Sequence, residues 1–256
     1  MTTTIDLPSA QERKVDVSGS PIVLRFDSSV PNETLDRITA QLISARDVQG
    51  DSGPLTVHIY FNSDDFASAY SNVHGLSQDQ TRSRLLSGGV RATVHLGHIW
   101  LTPALAQPGP PLAVTIYHEY FHTVQKRLAN KDLLIPNDVP YWLLEGPANY
   151  FGYTHADADG VSGLTSFRQA VIRTARSSAR LSALERIGPG PSAQQGNELG
   201  FIATEYLIRT FGEQKVKLDY WSAFARGMDW RAAFVTTFGV PVDQFYADFE
   251  SYQLTL

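Results

Sequence analysis

The five residues His118-Glu119-Tyr120-Phe121-His122 constrain this chain more than any other stretch. They lie in LAVTIYHEYFHTVQKRLAN (112–130), whose apolar residues recur at helical spacing. Residues four apart share a helix face, with Cβ atoms about 5–6 Å apart. Two imidazoles on that face can therefore reach one zinc ion at about 2.0–2.1 Å each. Glu119 is turned about a hundred degrees from His118. That places it beside such an ion and not on it, where a base must sit to take a proton from zinc-bound water. The chain has no cysteine, so a tight metal site has to be built from imidazole and carboxylate. The plain alternative is a core helix that happens to carry two amphipathic histidines.

Catalytic zinc normally has three protein ligands, and two histidines leave one position open. After the loop NKDLLIPNDVP (130–140) comes WLLEGPANY (142–150), the start of another helical stretch. Glu145 is an acid among apolar and aromatic neighbours. Buried there without a partner it would be costly, and a metal would explain it; a helix N-terminal Glu favoured by the dipole is the alternative. Pro147 has no N–H to donate, so a regular helix is expected to begin near Leu144 or Glu145, or to kink if it begins earlier. Asn149, one turn after Glu145, reads either as the acceptor for the second N–H of His118 or as an ordinary polar helix residue.

The segments around this pair of motifs suggest an α+β fold. PIVLRFD (21–27) and PLTVHIYF (54–61) read as strands and 32–49 as a helix. Ser63 is expected to cap a short helix, and Ser77 with Gln80 fits a capping box that opens another, up to Gly88-Gly89. VRATVHLGHIWLT (90–102) reads as one long strand or a hairpin, and Pro110 or Pro111 as the start of the 112–130 helix. From there every periodic segment is helical: roughly 143–155, 164–178, 198–211, 213–226, 229–238 and 242–253, with Gly212, Gly227 and Gly239 at expected stops. We read a flexible segment over 1–20 and one domain over 21–256, made of a β/α lobe (21–111) and a helical lobe (112–256) that carries the zinc site.

With 43% hydrophobic and 18% charged residues the chain can bury a large core. A net charge of -5 with no basic block gives no nucleic-acid footprint. No run is long and apolar enough for a membrane span, and the first twenty residues lack the form of a signal peptide. The expected location is cytoplasmic if this N-terminus is native and secreted if a signal peptide was removed. Other polar residues read blandly. His95 and His98, three apart on one strand, should face opposite sides and share no metal; His58 should face solvent and His74 should stabilise a helix end. Trp221, Phe224, Trp230, Phe234 and Phe238 read as helix-packing core.

HEYFH and WLLEGPANY together resemble the gluzincin branch of zinc peptidases (peptidase MA superfamily), the M1-aminopeptidase and thermolysin-like proteins, whose pattern is HExxH followed by the Glu of W-L-x-E-G-x-A-x-Y. The resemblance is specific over 112–153 and softer over 21–101. Over 196–252 it rests on helical segments such as GFIATEYLIRTFG and FGVPVDQFYADFESY. It implies a thermolysin-like zincin catalytic domain and a metallopeptidase, with one Zn2+ on His118, His122 and Glu145 and with Glu119 as general base. It also implies an edge strand within 90–101 that pairs with a peptide substrate. M1-like relatives place an oxyanion-binding tyrosine in a segment like Y-E-K-G-F-A. Here NELGFI (197–202) puts Asn197 at that position, where an amide can still donate. Tyr206, Tyr150, Tyr153 and His155 are alternatives. The aminopeptidase motif G-x-M-E-N is absent, which argues against an aminopeptidase of that kind. The expected activity is a zinc-dependent hydrolase acting on peptides. The same zinc cradle acting on a non-peptide small molecule in biosynthesis, or serving as a non-catalytic binding module, are the rival readings.

Overall fold

The computed structural model describes residues 10–15, 19–87, 90–95, 97–106, 111–133, 135, 137–177, 180–186 and 193–256. The expected break at Gly88-Gly89, the helix start at Pro110 and the first nine residues lie outside these. The chain divides into two compact units, Met1–Thr123 and Val124–Leu256. The boundary falls inside one continuous helix, Leu112–Ala129.

The first unit is built on a five-stranded sheet in the order β1-β2-β3-β5-β4. The strands are β1 (Gln11–Val15), β2 (Ile22–Phe26), β3 (Leu55–Ile59), β4 (Ala92–His95) and β5 (His98–Leu101). β2, β3 and β5 are mutually parallel, while β1 and β4 run antiparallel at the two edges. Two strands therefore need crossovers: α1 (Asn32–Gln49) joins β2 to β3, and α2 (Ser63–His74) follows β3. Gln11–Val15 lie inside the segment expected to be loose. Their polar sequence suits an edge strand with one face in water, a setting composition does not announce.

Ile22, Leu24 and Phe26 of β2 stand beside Leu55, Val57 and Ile59 of β3, and Ile99 and Leu101 of β5 continue the rows. All are buried. Since side chains alternate along a strand, the other face carries Arg25, His58 and Trp100 in one cross-strand row. α2 covers it: Tyr60, Phe66, Ala69, Tyr70 and Trp100 form one core cluster, joined by Val73, Leu76, Leu85 and Leu86. His58, expected to face solvent, is instead buried and stacks on Trp100 with ring centres 3.8 Å apart. Alternation alone does not reveal that a helix seals the second face. Burial, reinforced by neighbouring His98, lowers the His58 pKa to about 2, and burial with His95 and His98 nearby lowers that of His74 to about 4.

Local signals match in part. Ser77 and Gln80 form the reciprocal capping box that opens the short α3 (Gln78–Thr81). Asn62, not Ser63, caps α2, its Oδ1 accepting from the amides of Asp64 and Asp65. The 90–102 stretch is the hairpin form of the two readings.

The second unit is helical: the end of α4 (Leu112–Ala129), α5 (Tyr141–Ala158), α6 (Leu164–Ser177), α7 (Ala193–Phe211), α8 (Tyr220–Phe224), α9 (Trp230–Phe238) and α10 (Val242–Gln253). The helix expected over 213–226 is continuous over 213–224, with a π-helical stretch, Lys215–Asp219, before α8. Gly212, Gly227 and Gly239 all take positive φ at the expected stops, which glycine adopts without strain. Trp221, Phe224, Phe234 and Phe238 are buried core as expected. Trp230 is half-buried, with the Arg231 guanidinium 4.5 Å from its ring centre. No helix among the described residues is long and apolar enough to cross a membrane.

Candidate metal centre

HEYFH sits in the middle of α4, and residues beside and between its histidines hold the helix in place. Tyr117, Tyr120 and Phe121 are fully buried. The Tyr117 hydroxyl donates to Ser44 Oγ at 2.6 Å, and the Tyr120 hydroxyl donates to the Gly50 carbonyl at 2.9 Å while accepting from the Ser52 amide at 3.2 Å. Gln49 donates to the Tyr117 carbonyl at 3.1 Å. One face of α4 is thereby locked to the end of α1, which leaves His118 and His122 together on another.

The two imidazoles meet edge-on, ring centres 4.7 Å apart at 85°. Their Nε2 atoms approach to 3.1 Å. Two nitrogens bound to one zinc at about 2.0–2.1 Å each stand about 3.0–3.5 Å apart, so this pair needs no rearrangement to share an ion. Glu145 of α5 completes the group: one donor atom from each of His118, His122 and Glu145 lies within 4.8 Å of the others. It is the one such cluster among the described residues. His118 and Glu145 are half-buried and His122 is buried. Glu119, next to His118 in sequence and offset around the helix, is only 7% exposed. Two imidazoles and a carboxylate are a donor set suited to zinc, so the residues present fit such an ion.

α5 begins at Tyr141 and not near Leu144, with Pro140 as its cap and Pro147 inside it. Pro147 leaves the Leu143 carbonyl without its i+4 donor, and the neighbouring Leu144 carbonyl accepts from the buried Gln125 side chain of α4 at 3.0 Å. That bond ties the turn bearing Glu145 to the end of α4. α7 grips the other side. A Cβ built on Gly146 would lie 2.4 Å from the Gly200 carbonyl oxygen, and one on Gly200 would lie 2.6 Å from the Trp142 carbonyl oxygen. The two backbones touch, so a methyl at either glycine must push helix from helix. Gly200→Ala is expected to destabilise the fold by about 1–3 kcal/mol or more, read as a lower denaturant midpoint; an unchanged midpoint would remove this contact from the frame of the site. The spacing Gly196-x-x-x-Gly200, two small residues on one helix face, is the sequence signal that points to it.

The remaining candidates separate. Asn149 donates to Asn197 Oδ1 at 3.3 Å, so these two amides pair across α5 and α7. Tyr206 lies elsewhere, its ring 4.7 Å from Tyr252 and 6.0 Å from both Phe245 and Phe249 of α10. Tyr150 packs on Phe201, and Tyr153 stacks on Phe167 at 3.6 Å; burial raises the pKa of both hydroxyls. His155 stacks on Phe151, and its pKa is lowered by burial and then by Lys217.

No family model matches the sequence, and no curated protein does. Solved structures do share the fold. An M1 zinc metallopeptidase from Deinococcus radiodurans aligns with TM-score 0.53 and 15% identity, over 93% of this chain and 51% of that one. A mutant of that enzyme bound to a Tyr-Ser-Ala substrate aligns with TM-score 0.53 and 16% identity, over 94% and 51%. A mutant two-domain M1 zinc metallopeptidase bound to L-arginine gives 0.54 and 14%, over 94% and 51%. The chain thus spans about half the length of the solved structures it matches. At these identities the likeness is one of fold: α+β, with a small sheet and mostly helices.

Proposed function

We propose that this chain is a zinc-dependent hydrolase that cleaves peptide bonds, with His118, His122 and Glu145 holding one Zn2+ and Glu119 as general base. The observation that carries the reading is the convergence of two imidazoles and one carboxylate, donors within 4.8 Å, beside a second, buried carboxylate on the same helix. A zinc ion there supplies Lewis-acid polarisation of a carbonyl and makes a water acidic near neutral pH. The Glu119 carboxylate takes a proton from the attacking water and returns it to the leaving amine. The fold neighbours add support, since their structures include a Tyr-Ser-Ala substrate and an amino acid.

The residue we assign to the developing oxyanion is Asn197. Its Oδ1 is engaged by Asn149, which turns the amide so that its nitrogen is the free donor. Tyr206, the other candidate, is packed among the aromatic residues of α10, and we leave it out of the chemistry. In this reading 21–256 act together as one catalytic domain.

Asn197, standing where the resembling enzymes use tyrosine, also favours a second reading, in which the same centre hydrolyses a small molecule that is not a peptide. A panel of internally quenched peptides, assayed with and without a chelator, separates the two. The expected result is cleavage of at least one peptide that stops on chelation and returns with Zn2+. No cleavage across the panel, together with metal-dependent turnover of small amide or ester substrates, would replace the first reading by the second.

A further inference from the structure

Four of the chain's seven histidines meet on the α2-covered face of the sheet, away from HEYFH. His95 and His98 close the β4–β5 hairpin as direct register partners, so their side chains leave the same face. Spacing along one strand puts them on opposite faces, but the turn, with Gly97 at φ 75, brings the chain back and sets them side by side. α2 ends on His74, whose ring centre is 4.2 Å from that of His95 at 89°. That is nearly the arrangement of His118 and His122, at 4.7 Å and 85°; two imidazoles on one tetrahedral ion stand with ring centres about 5 Å apart, a small shift from either pair. Both ring nitrogens of His74 are buried without a hydrogen-bond partner. Buried polar atoms left in that state are uncommon, and coordination is one way to satisfy them.

The third imidazole is His98. Its Nδ1 is 2.9 Å from Nε2 of buried His58, which in turn stacks on Trp100. A metal-bound imidazole is commonly steadied by a hydrogen bond through its second nitrogen, and His98 already has one, leaving Nε2 for an ion. Only the HEYFH cluster brings three donors within 4.8 Å among the described residues. The second group therefore begins as the His74–His95 pair, and these two side chains close toward Nε2 of His98 while its Nδ1 stays on His58. His95 is exposed, which gives an ion its way in.

We propose that His74, His95 and His98 form a second metal site, which clamps the end of α2 to the β4–β5 hairpin. An all-imidazole set selects a borderline divalent cation, Zn2+, Ni2+ or Cu2+, over Ca2+ or Mg2+. The site is independent of the proposed hydrolase centre and uses residues of the first unit alone.

The test is calorimetric titration of Zn2+ into the metal-free full chain and into His95→Ala, His122→Ala and the double variant, with circular dichroism to check folding. Two equivalents are expected in the parent chain, one in each single variant and none in the double. Added Zn2+ should raise the melting temperature of His122→Ala and leave that of the double variant unchanged. A His95→Ala chain that keeps both equivalents overturns the second site, as does a His122→Ala chain that binds nothing. A single equivalent that survives His122→Ala and vanishes in His95→Ala keeps this site and removes the hydrolase centre, so the two readings fail separately.

Discussion

Glu119→Gln is expected to leave the metal bound and the fold intact while turnover falls by about 10²–10⁴-fold, the usual contribution of a positioned general base. The substitution nearly preserves volume and shape, so a buried side chain at 7% exposure is replaced without opening a cavity. What it removes is the capacity to accept and hand on a proton. Glu119 is not among the three clustered donors, so metal content should stay at its parent value. Because the loss lies in the chemical step, it should appear in kcat more than in KM. Full activity in this variant would take Glu119 out of the reaction. Retained biological function without catalysis would favour the non-catalytic binding module.

The legible parts of this structure are those in which a residue's neighbours along the chain decide its fate. The α1 helix and the α4 helix follow from apolar spacing, and the capping box at Ser77 and Gln80 from two residues three apart. The histidine pair on α4 is of the same kind, because a four-residue spacing fixes a shared face before any packing occurs. What tertiary contacts decide is not legible. α5 could be read from Pro147 as starting late, yet it begins at Tyr141, and Gln125 on another helix holds the Leu144 carbonyl in that first stretch. His58 looks like an outward strand residue until α2 lies over it. His95 and His98 share a face because they lie on two strands paired antiparallel, as direct register partners, and not along one strand. Glu145 stands between these cases. Its sequence setting calls for a partner, but which one depends on how the turn bearing it is held, through Gln125 on one side and through the Gly146–Gly200 backbone contact on the other.

His122→Ala should abolish turnover together with metal binding at the α4 centre, a pattern opposite to that of Glu119→Gln. His122 is only 8% exposed, and its Nε2 is one of the two nitrogens 3.1 Å apart, so no other imidazole on α4 can take its place. Losing an outer partner of a metal ligand typically weakens binding 10–100-fold, and losing the ligand itself should exceed that. Metal content after exhaustive dialysis, measured beside turnover, should drop by one equivalent. The cost in stability should be modest in the metal-free state, because alanine is a strong helix former and the locking contacts of α4 come from Tyr117 and Tyr120 on another face. A variant that lost activity with its metal content unchanged would mean that His122 positions something other than the ion. The cradle would then have to be sought without it, and Glu145, left with a single histidine, would no longer belong to a three-ligand site.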